Sequence, residues 1–407
     1  MKPARRPHQW VRFAVILAVA WAAPTARAED AVTVIAREGR GALLEVNGAR
    51  VCLLAGEPEE MGYQHGVLLK DQIREMVQKT LLIARTSDII RKENPFAGSI
   101  EEAFKRTEKF TPPRYLKELE GLAKGAGLPV RSVQASNIFP ELFHCSGFAL
   151  SGEATKDGEL LHGRVLDYMT EIGLQDQAVV FVCKPAGYHA FINVGYSGFI
   201  GSVTGMNEKG VSFGEMGGRG EGQWDGVPMG YLMRMGMEQA DDLDEAVRIF
   251  REARRTCQYY YVIADGNRRD AVGLACEPDR FEVIRMGAAH AQLPRPVKDT
   301  VLMSAGDRYD HLVDRVKEKY GQFTPDLGEW LMTRPVAMSS NLHCVLFKPK
   351  TGDVWFANAG NPRQSEKFQA CWQPYRHLNL RKLLALIPDT PGAAPAISTA
   401  AKAAALP

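Results

Sequence analysis

Apolar residues in this chain recur either at every second position or in short unbroken runs, and blocks with the helical repeat interrupt that texture. Residues 32–54 (VTVIAREGRGALLEVNGARVCLL) read as two short strands around Gly39 and Gly41, with a further turn at Asn47-Gly48. Residues 59–87 carry apolar positions at helical spacing, and YLKELEGLAKGAGL at 115–128 predicts an amphipathic helix that breaks down at its glycines. After Cys145 the pattern turns to strands: SGFALSG, ELLHGRVLDY, QAVVFVCKP, YHAFINVGYSG and GSVTGMNEKGVSFGEM. Turn signals (KDG, PAG, NEKG) divide them, as in stacked antiparallel sheets. Residues 229–255 predict helices, the second capped by Asp241 or Asp242. Strands resume at QYYYVIADG, DAVGLACEP and RFEVIRM, a helix spans 308–320, and NLHCVLFKPKTGDVWFANAG closes as a hairpin on its KTGD turn. This order predicts an α+β fold of sheets packed on each other with helices outside. No internal repeat is present.

The first thirty residues set the compartment. Lys2, Arg5, Arg6 and Arg12 precede the apolar run FAVILAVAWAA, which ends at TARA, so residues 1–28 are expected to be a signal peptide. That run is about eleven residues, too short for a bilayer core of ~30 Å, and no later segment is long enough for a membrane span. The expectation is a periplasmic or secreted protein. Arg5-Arg6 resembles a twin-arginine signal, but PHQW follows it, which favours Sec export. Residues 389–407 are Pro/Ala-rich and expected to be a disordered tail. A hydrophobic fraction of 45%, a charged fraction of 24% and a net charge of +2 suit a globule and argue against a nucleic-acid partner.

Seven cysteines follow the expected leader: Cys52, Cys145, Cys183, Cys257, Cys276, Cys344 and Cys371. Six could pair in an oxidising compartment, and the odd count leaves at least one thiol free. No CxxC array is present, so neither zinc nor another metal is expected, and most of these residues read as small buried hydrophobes.

The stretch CSGFALSGEATKDGELLHGRVLDY, from Cys145 to Tyr168, resembles the nucleophile region of the penicillin acyltransferase-like family of N-terminal nucleophile hydrolases, with acid ceramidases and bile salt hydrolases as more distant relatives. AGEPEEMGYQHG and YLKELEGLAKGAGLPVRSVQASN upstream, and TGMNEKGVSFGEM, YYYVIADG and SNLHCVLFKPKTGDVWFA downstream, resemble other parts of the same family. The resemblance implies a four-layer αββα sandwich of two stacked antiparallel sheets. It also implies a precursor that cuts itself between His144 and Cys145. Residues 29–144 would then be a pro-segment that stays as a non-covalent or disulfide-linked chain, and 145–388 the nucleophile-bearing chain. No cofactor is expected.

Cutting there has a chemical rationale. A cysteine at a new amino terminus carries an α-amine beside its sulfur; that amine titrates near ~7.7–8.0 and a free thiol near ~8.5, so the amine can accept the thiol proton. The thiolate would attack an acyl carbon, form a thioester and release an amine. A strand, a turn at 156–158 and a returning strand would bring Arg164 and Asp167 beside Cys145. Regular alternation cannot aim both charges at the thiol, so a bulge or strand end near Asp167 is required. By resemblance, Asp167 holds the α-amine and Arg164 favours the thiolate; a plain ion pair at a strand end is the structural alternative.

The chain also departs from the family. Relatives carry Thr-Asn-His or Thr-Asn-Tyr before an arginine, with the asparagine donating to the oxyanion. Here VLMSAGDRYDHL keeps Arg308, while Ser304 or Ala305 replaces the asparagine, leaving Ser304, Arg308, Asn341 or a backbone N–H as oxyanion or supporting groups. His144 stands where a small residue is expected. His65, His162 and His343 leave open a papain-like Cys–His pair. Residues 214–226 read as a glycine-rich loop, and Phe139, Phe143, Tyr168, Met169, Phe199, Met216 and Trp224 are apolar candidates for the substrate mouth. Two function classes follow: an amidase or acyltransferase acting on an N-acylated small molecule, and an exported binding protein that lost activity.

Overall fold

The computed structural model describes residues 31–90, 96–138, 144–168, 170–218 and 222–389. The expected leader and, beyond Asp389, the expected tail lie outside them, as do Phe139, Phe143 and Met169. Strands β1 (Val32–Glu38), β2 (Gly41–Val46) and β3 (Ala49–Gly56) come first. Helices α1 (Pro58–Leu68), α2 (Lys70–Ile90), α3 (Phe96–Glu108), α4 (Pro113–Ala126) and α5 (Val130–Ser136) follow. Six strands come next: β4 (His144–Leu150), β5 (Leu161–Asp167), β6 (Ala178–Pro185), β7 (Phe191–Tyr196), β8 (Thr204–Asn207) and β9 (Val211–Gly217). Then come α6 (Met229–Gln239), α7 (Leu243–Glu252), β10 (Tyr259–Asp265), β11 (Asp270–Cys276), β12 (Phe281–Arg285) and β13 (Thr300–Met303). The last elements are α8 (Asp307–Glu318), α9 (Pro325–Leu331), β14 (Asn341–Lys348), β15 (Asp353–Asn358), β16 (Arg376–Asn379) and α10 (Leu380–Leu384).

One sheet has ten strands in the order β1-β2-β3-β6-β7-β8-β9-β10-β11-β12, and the other six in the order β13-β4-β5-β14-β15-β16. Every pairing is antiparallel except β3 with β6, which run parallel. That exception has a cause: five helices separate the chain's first strands from the rest, and a long crossover permits parallel pairing. β4 and β5 face β9 and β10 across the gap, α1, α6 and α7 pack on the larger sheet, and α8 and α9 on the smaller. The result is the layered α+β sandwich that the sequence predicts. Val180, Val182, Val345 and Phe347, from both sheets, share one core cluster with no more than 1% exposure, and each such side chain contributes about 1.5–3 kcal/mol.

The opening segment holds three strands rather than two, because Asn47 (φ 52°) and Gly48 (φ 73°) form a two-residue turn with both residues left-handed. The helix read at 59–87 is two, parted at Leu69. In α4 the glycines do not break the helix. A Cβ on Gly121 would lie 2.2 Å from the Glu59 carbonyl oxygen, and one on Gly62 would lie 1.9 Å from that of Glu118. These glycines therefore let α1 and α4 touch backbone to backbone, and the helix ends only at Gly127, which is left-handed. Asp242 caps α7 as expected, accepting from the Glu245 N–H at 2.9 Å.

Candidate active site

β4 and β5 are neighbours in register, with His144 opposite Asp167, Cys145 opposite Leu166 and Gly147 opposite Arg164. Alternation puts Cys145 and Arg164 on the face turned toward the larger sheet. Asp167 belongs to the other face, yet it is the last residue of β5, and its neighbour β14 slips register between Asn341 and His343. The strand end and the irregularity thus occur where the geometry requires them.

Arg164 is fully buried and spans the gap between the sheets: its Nη2 donates to Glu215 Oε2 at 3.3 Å. A glycine makes room for it. A Cβ on Gly214 would meet Arg164 Cγ at 2.8 Å and His162 Nε2 at 3.2 Å. Burial pushes the Glu215 carboxyl up to about 7 even with Arg164 beside it. Burial likewise pushes the Cys145 thiol up to about 11. Arg164 and a hydrogen bond from the Asp167 backbone N–H pull the other way, and the carboxylates of Glu215 and Asp167 add to the rise. Within an uncut chain Cys145 is therefore a neutral thiol near pH 7.

The Asp167 carboxylate accepts from Arg308 Nη1 at 3.0 Å, the Met338 N–H at 3.0 Å and Asn341 Nδ2 at 3.3 Å. Burial still raises its pKa, against these donors. Arg308 Nη1 also donates to Ser146 Oγ at 3.4 Å, and Ser146 Oγ lies 2.7 Å from Ser304 Oγ. Cys145, Ser304 and Arg308 line one cavity of about 380 Å³, whose apolar wall comes from Met216, Ile284, Leu293 and Met303. Asn341 does not line it. Its Nδ2 also donates to the carbonyls of Leu166 (3.1 Å) and His343 (3.3 Å), while its Oδ1 accepts from the Cys371 N–H at 2.8 Å.

The three histidines singled out in the sequence are committed elsewhere. His65 Nε2 accepts from the Gly198 N–H, His162 Nδ1 bonds Ser212 Oγ, and His343 bonds Tyr196 and Thr204. Burial pushes His65 and His162 down to about 3, and His343 well below its usual value. The imidazole at the cavity is instead His290, whose Nε2 bonds Glu282 Oε2 at 2.7 Å and whose Nδ1 accepts from the Gln292 N–H at 3.2 Å. Of the apolar mouth candidates, Met216 lines the cavity, while Tyr168 and Phe199 are buried in the main core, against which Trp224 packs. In the glycine-rich segment 214–226, residues 214–217 belong to β9, and 219–221 lie outside the described residues. All seven cysteines are buried, and Cys52, Cys145, Cys183, Cys276, Cys344 and Cys371 are free thiols. Among the described residues no group of three His, Cys, Asp or Glu is arranged to hold a metal, and no helix is long and apolar enough to cross a membrane.

Sequence reasoning missed Glu215, Ser146 and the wall from β10, β12 and β13. Only Glu215 carried a signal, as a lone carboxylate inside the apolar strand VSFGEMG.

The profile of the family described as acyl-coenzyme A:6-aminopenicillanic acid acyl-transferase matches residues 154–364, a span that includes Arg164, Asp167, Ser304, Arg308 and Asn341 and begins after Cys145. Protein dcd1B of Dictyostelium discoideum is 29% identical over 268 residues, 58% of this chain and 52% of that protein. The 40 kDa form of the acyl-coenzyme A:6-aminopenicillanic-acid-acyltransferase of Emericella nidulans is 25% identical over 231 residues, 55% of this chain and 62% of that one. The chain thus spans between about half and three-fifths of the length of these curated relatives. Among solved structures, a Caenorhabditis elegans N-acylethanolamine-hydrolyzing acid amidase ortholog superposes with a TM-score of 0.43 at 16% identity, covering 57% of this chain and 100% of that one.

Proposed function

Because the chain belongs to the acyl-coenzyme A:6-aminopenicillanic acid acyl-transferase family, we propose that it is an amidase or acyltransferase whose nucleophile, Cys145, is released by self-cleavage after His144. The observation that carries the reading is the register of β4 on β5. It pairs Asp167 with His144, the residue on the other side of the bond to be cut, and Cys145 lines the 380 Å³ cavity. Cleavage would turn the Cys145 nitrogen into an α-amine, which Asp167 would hold and which would take the thiol proton. Arg164 favours the resulting thiolate. Sulfur attacks the acyl carbon, the carbonyl π pair moves to oxygen, and collapse breaks the C–N bond as the α-ammonium protonates the departing amine; water or a second amine then resolves the thioester.

The substrate is the amide of an N-acylated small molecule. A cavity of this size suits such a ligand, and its Met216, Ile284, Leu293 and Met303 wall favours an apolar acyl group. The segment before Cys145 would remain bound after the cut without a disulfide, since Cys52 is a free thiol. Support comes from the β3–β6 ladder and from Arg234 of α6, which bonds Glu118 of α4 at 2.6 Å. Export to the periplasm or medium belongs to the same proposal.

The test is amine release from a panel of N-acyl 7-amino-4-methylcoumarins of varied acyl length, using wild type and Cys145→Ala. Release by wild type alone is expected. Binding without turnover by any preparation would favour the degenerate binding protein, and turnover by an uncut chain would favour the papain-like route.

A further inference from the structure

The hydrogen-bond chain beside Cys145 has a direction, and we infer from it that Ser304 is the oxyanion donor of this site, oriented through Ser146 by Arg308. The inference rests on the reaction proposed above. Ser146 is completely buried. Its Oγ receives the N–H of Arg308 Nη1 at 3.4 Å and lies 2.7 Å from Ser304 Oγ. Arginine has only donors to offer, so at Ser146 the incoming bond uses a lone pair and leaves the hydroxyl hydrogen to be placed. Ser304 Oγ is its acceptor, and a buried hydroxyl hydrogen without one is costly. Ser146 therefore donates to Ser304. Ser304 in turn accepts that bond on one lone pair, and among the described residues no acceptor takes its own hydrogen.

Ser304 is half-buried and lines the cavity that Cys145 also lines. Met303 pairs with Gly147 across β13 and β4. One step further along that antiparallel register, Ser304 stands opposite Ser146, the residue after the nucleophile. A free O–H donor there meets the need of a carbonyl oxygen gaining charge while its carbon bonds Cys145 Sγ. The serine donates a hydrogen bond only: no proton leaves it, and the departing amine is still protonated by the α-ammonium. Asp167 keeps Arg308 in place by accepting from the same Nη1 at 3.0 Å, so one carboxylate serves both the α-amine and the donor chain. Asn341, with both amide functions spent on the backbone and on Asp167, has no donor left for this task.

The test uses the full-length protein and a decanoyl 4-nitrophenyl ester, whose burst of nitrophenolate reports acylation of Cys145. Each variant is normalised to its fraction of chains beginning at Cys145. Ser304→Ala is expected to acylate about 10²-fold more slowly with ester binding little changed, and Ser304→Thr, which keeps the hydroxyl, within about threefold of wild type. Ser146→Ala, which keeps Ser304 but removes its orientation, should fall between them and provides the reading should Ser304→Ala stay uncut. Full-rate acylation by processed Ser304→Ala, or by Ser146→Ala in its stead, overturns the assignment and leaves the nucleophile reading intact. A wild type that neither cuts nor bursts overturns both.

Discussion

Removing Arg164 tests the electrostatics of the inter-sheet gap. In Arg164→Met, made on Cys145→Ala so that neither cutting nor thiol titration intervenes, Glu215, fully buried in the parent, loses its charged partner. With Arg164 present, the carboxyl titrates at about 7 rather than its ordinary 4.5. A folded-state pKa above the unfolded one means that the neutral acid stabilises the fold below pH 4.5. That contribution, at most about 3 kcal/mol, is lost as pH rises through 7 and then stays constant. Without the guanidinium the carboxyl should titrate higher still, up to about 9, so stability keeps falling by about 1.4 kcal/mol per pH unit past the point where the parent levels off. Near pH 5, where Glu215 is largely protonated in both proteins, the variant should be about as stable as its parent. By pH 9 it should be weaker by about 2 kcal/mol. Urea unfolding followed by tryptophan fluorescence at pH 5, 7 and 9 reads the difference, and adding Glu215→Gln should abolish its pH dependence. A gap between the two proteins that does not change with pH refutes the reasoning.

Asp167→Asn keeps an acceptor for the Met338 N–H but turns an amide toward Arg308; cutting should slow, and turnover per cut chain should drop at least about 10²-fold, as measured by amino-terminal sequencing and amine release. Gly62→Ala drives a methyl to 1.9 Å from the Glu118 carbonyl oxygen and should cost about 2 kcal/mol or more by forcing α1 and α4 apart; an unchanged melting curve would contradict the backbone contact between them. Asp242→Ala removes the acceptor of the Glu245 N–H at the start of α7 and should cost about 1 kcal/mol in urea unfolding.

Strand alternation carried most of the fold. β4 to β12 and the β14–β15 hairpin follow from their apolar pattern and turn residues, because most of these strands bury at least one face between or beneath layers. The requirement for an irregularity near Asp167 was also legible, since a three-residue separation cannot put two side chains on one face of a strand. What escaped notice depends on long-range contact. The glycines of α4 look like helix breakers until α1 lies against them, and Thr300–Met303 is too short to announce itself as the strand that edges the smaller sheet. Ser146 carries no sign of its role, which exists only because Ser304 and Arg308 arrive from 158 and 162 residues away. The cysteines invite pairing by their number, yet they pack as the small buried side chains that the sequence already suggested for most of them.

The proposed chemistry depends on one peptide bond, between His144 and Cys145, and intact mass spectrometry of the reduced, denatured protein reads it directly. Wild type should give two chains, the larger beginning at Cys145, and Cys145→Ala a single one. A wild-type protein that stays a single chain while releasing amine from N-acyl substrates would contradict it.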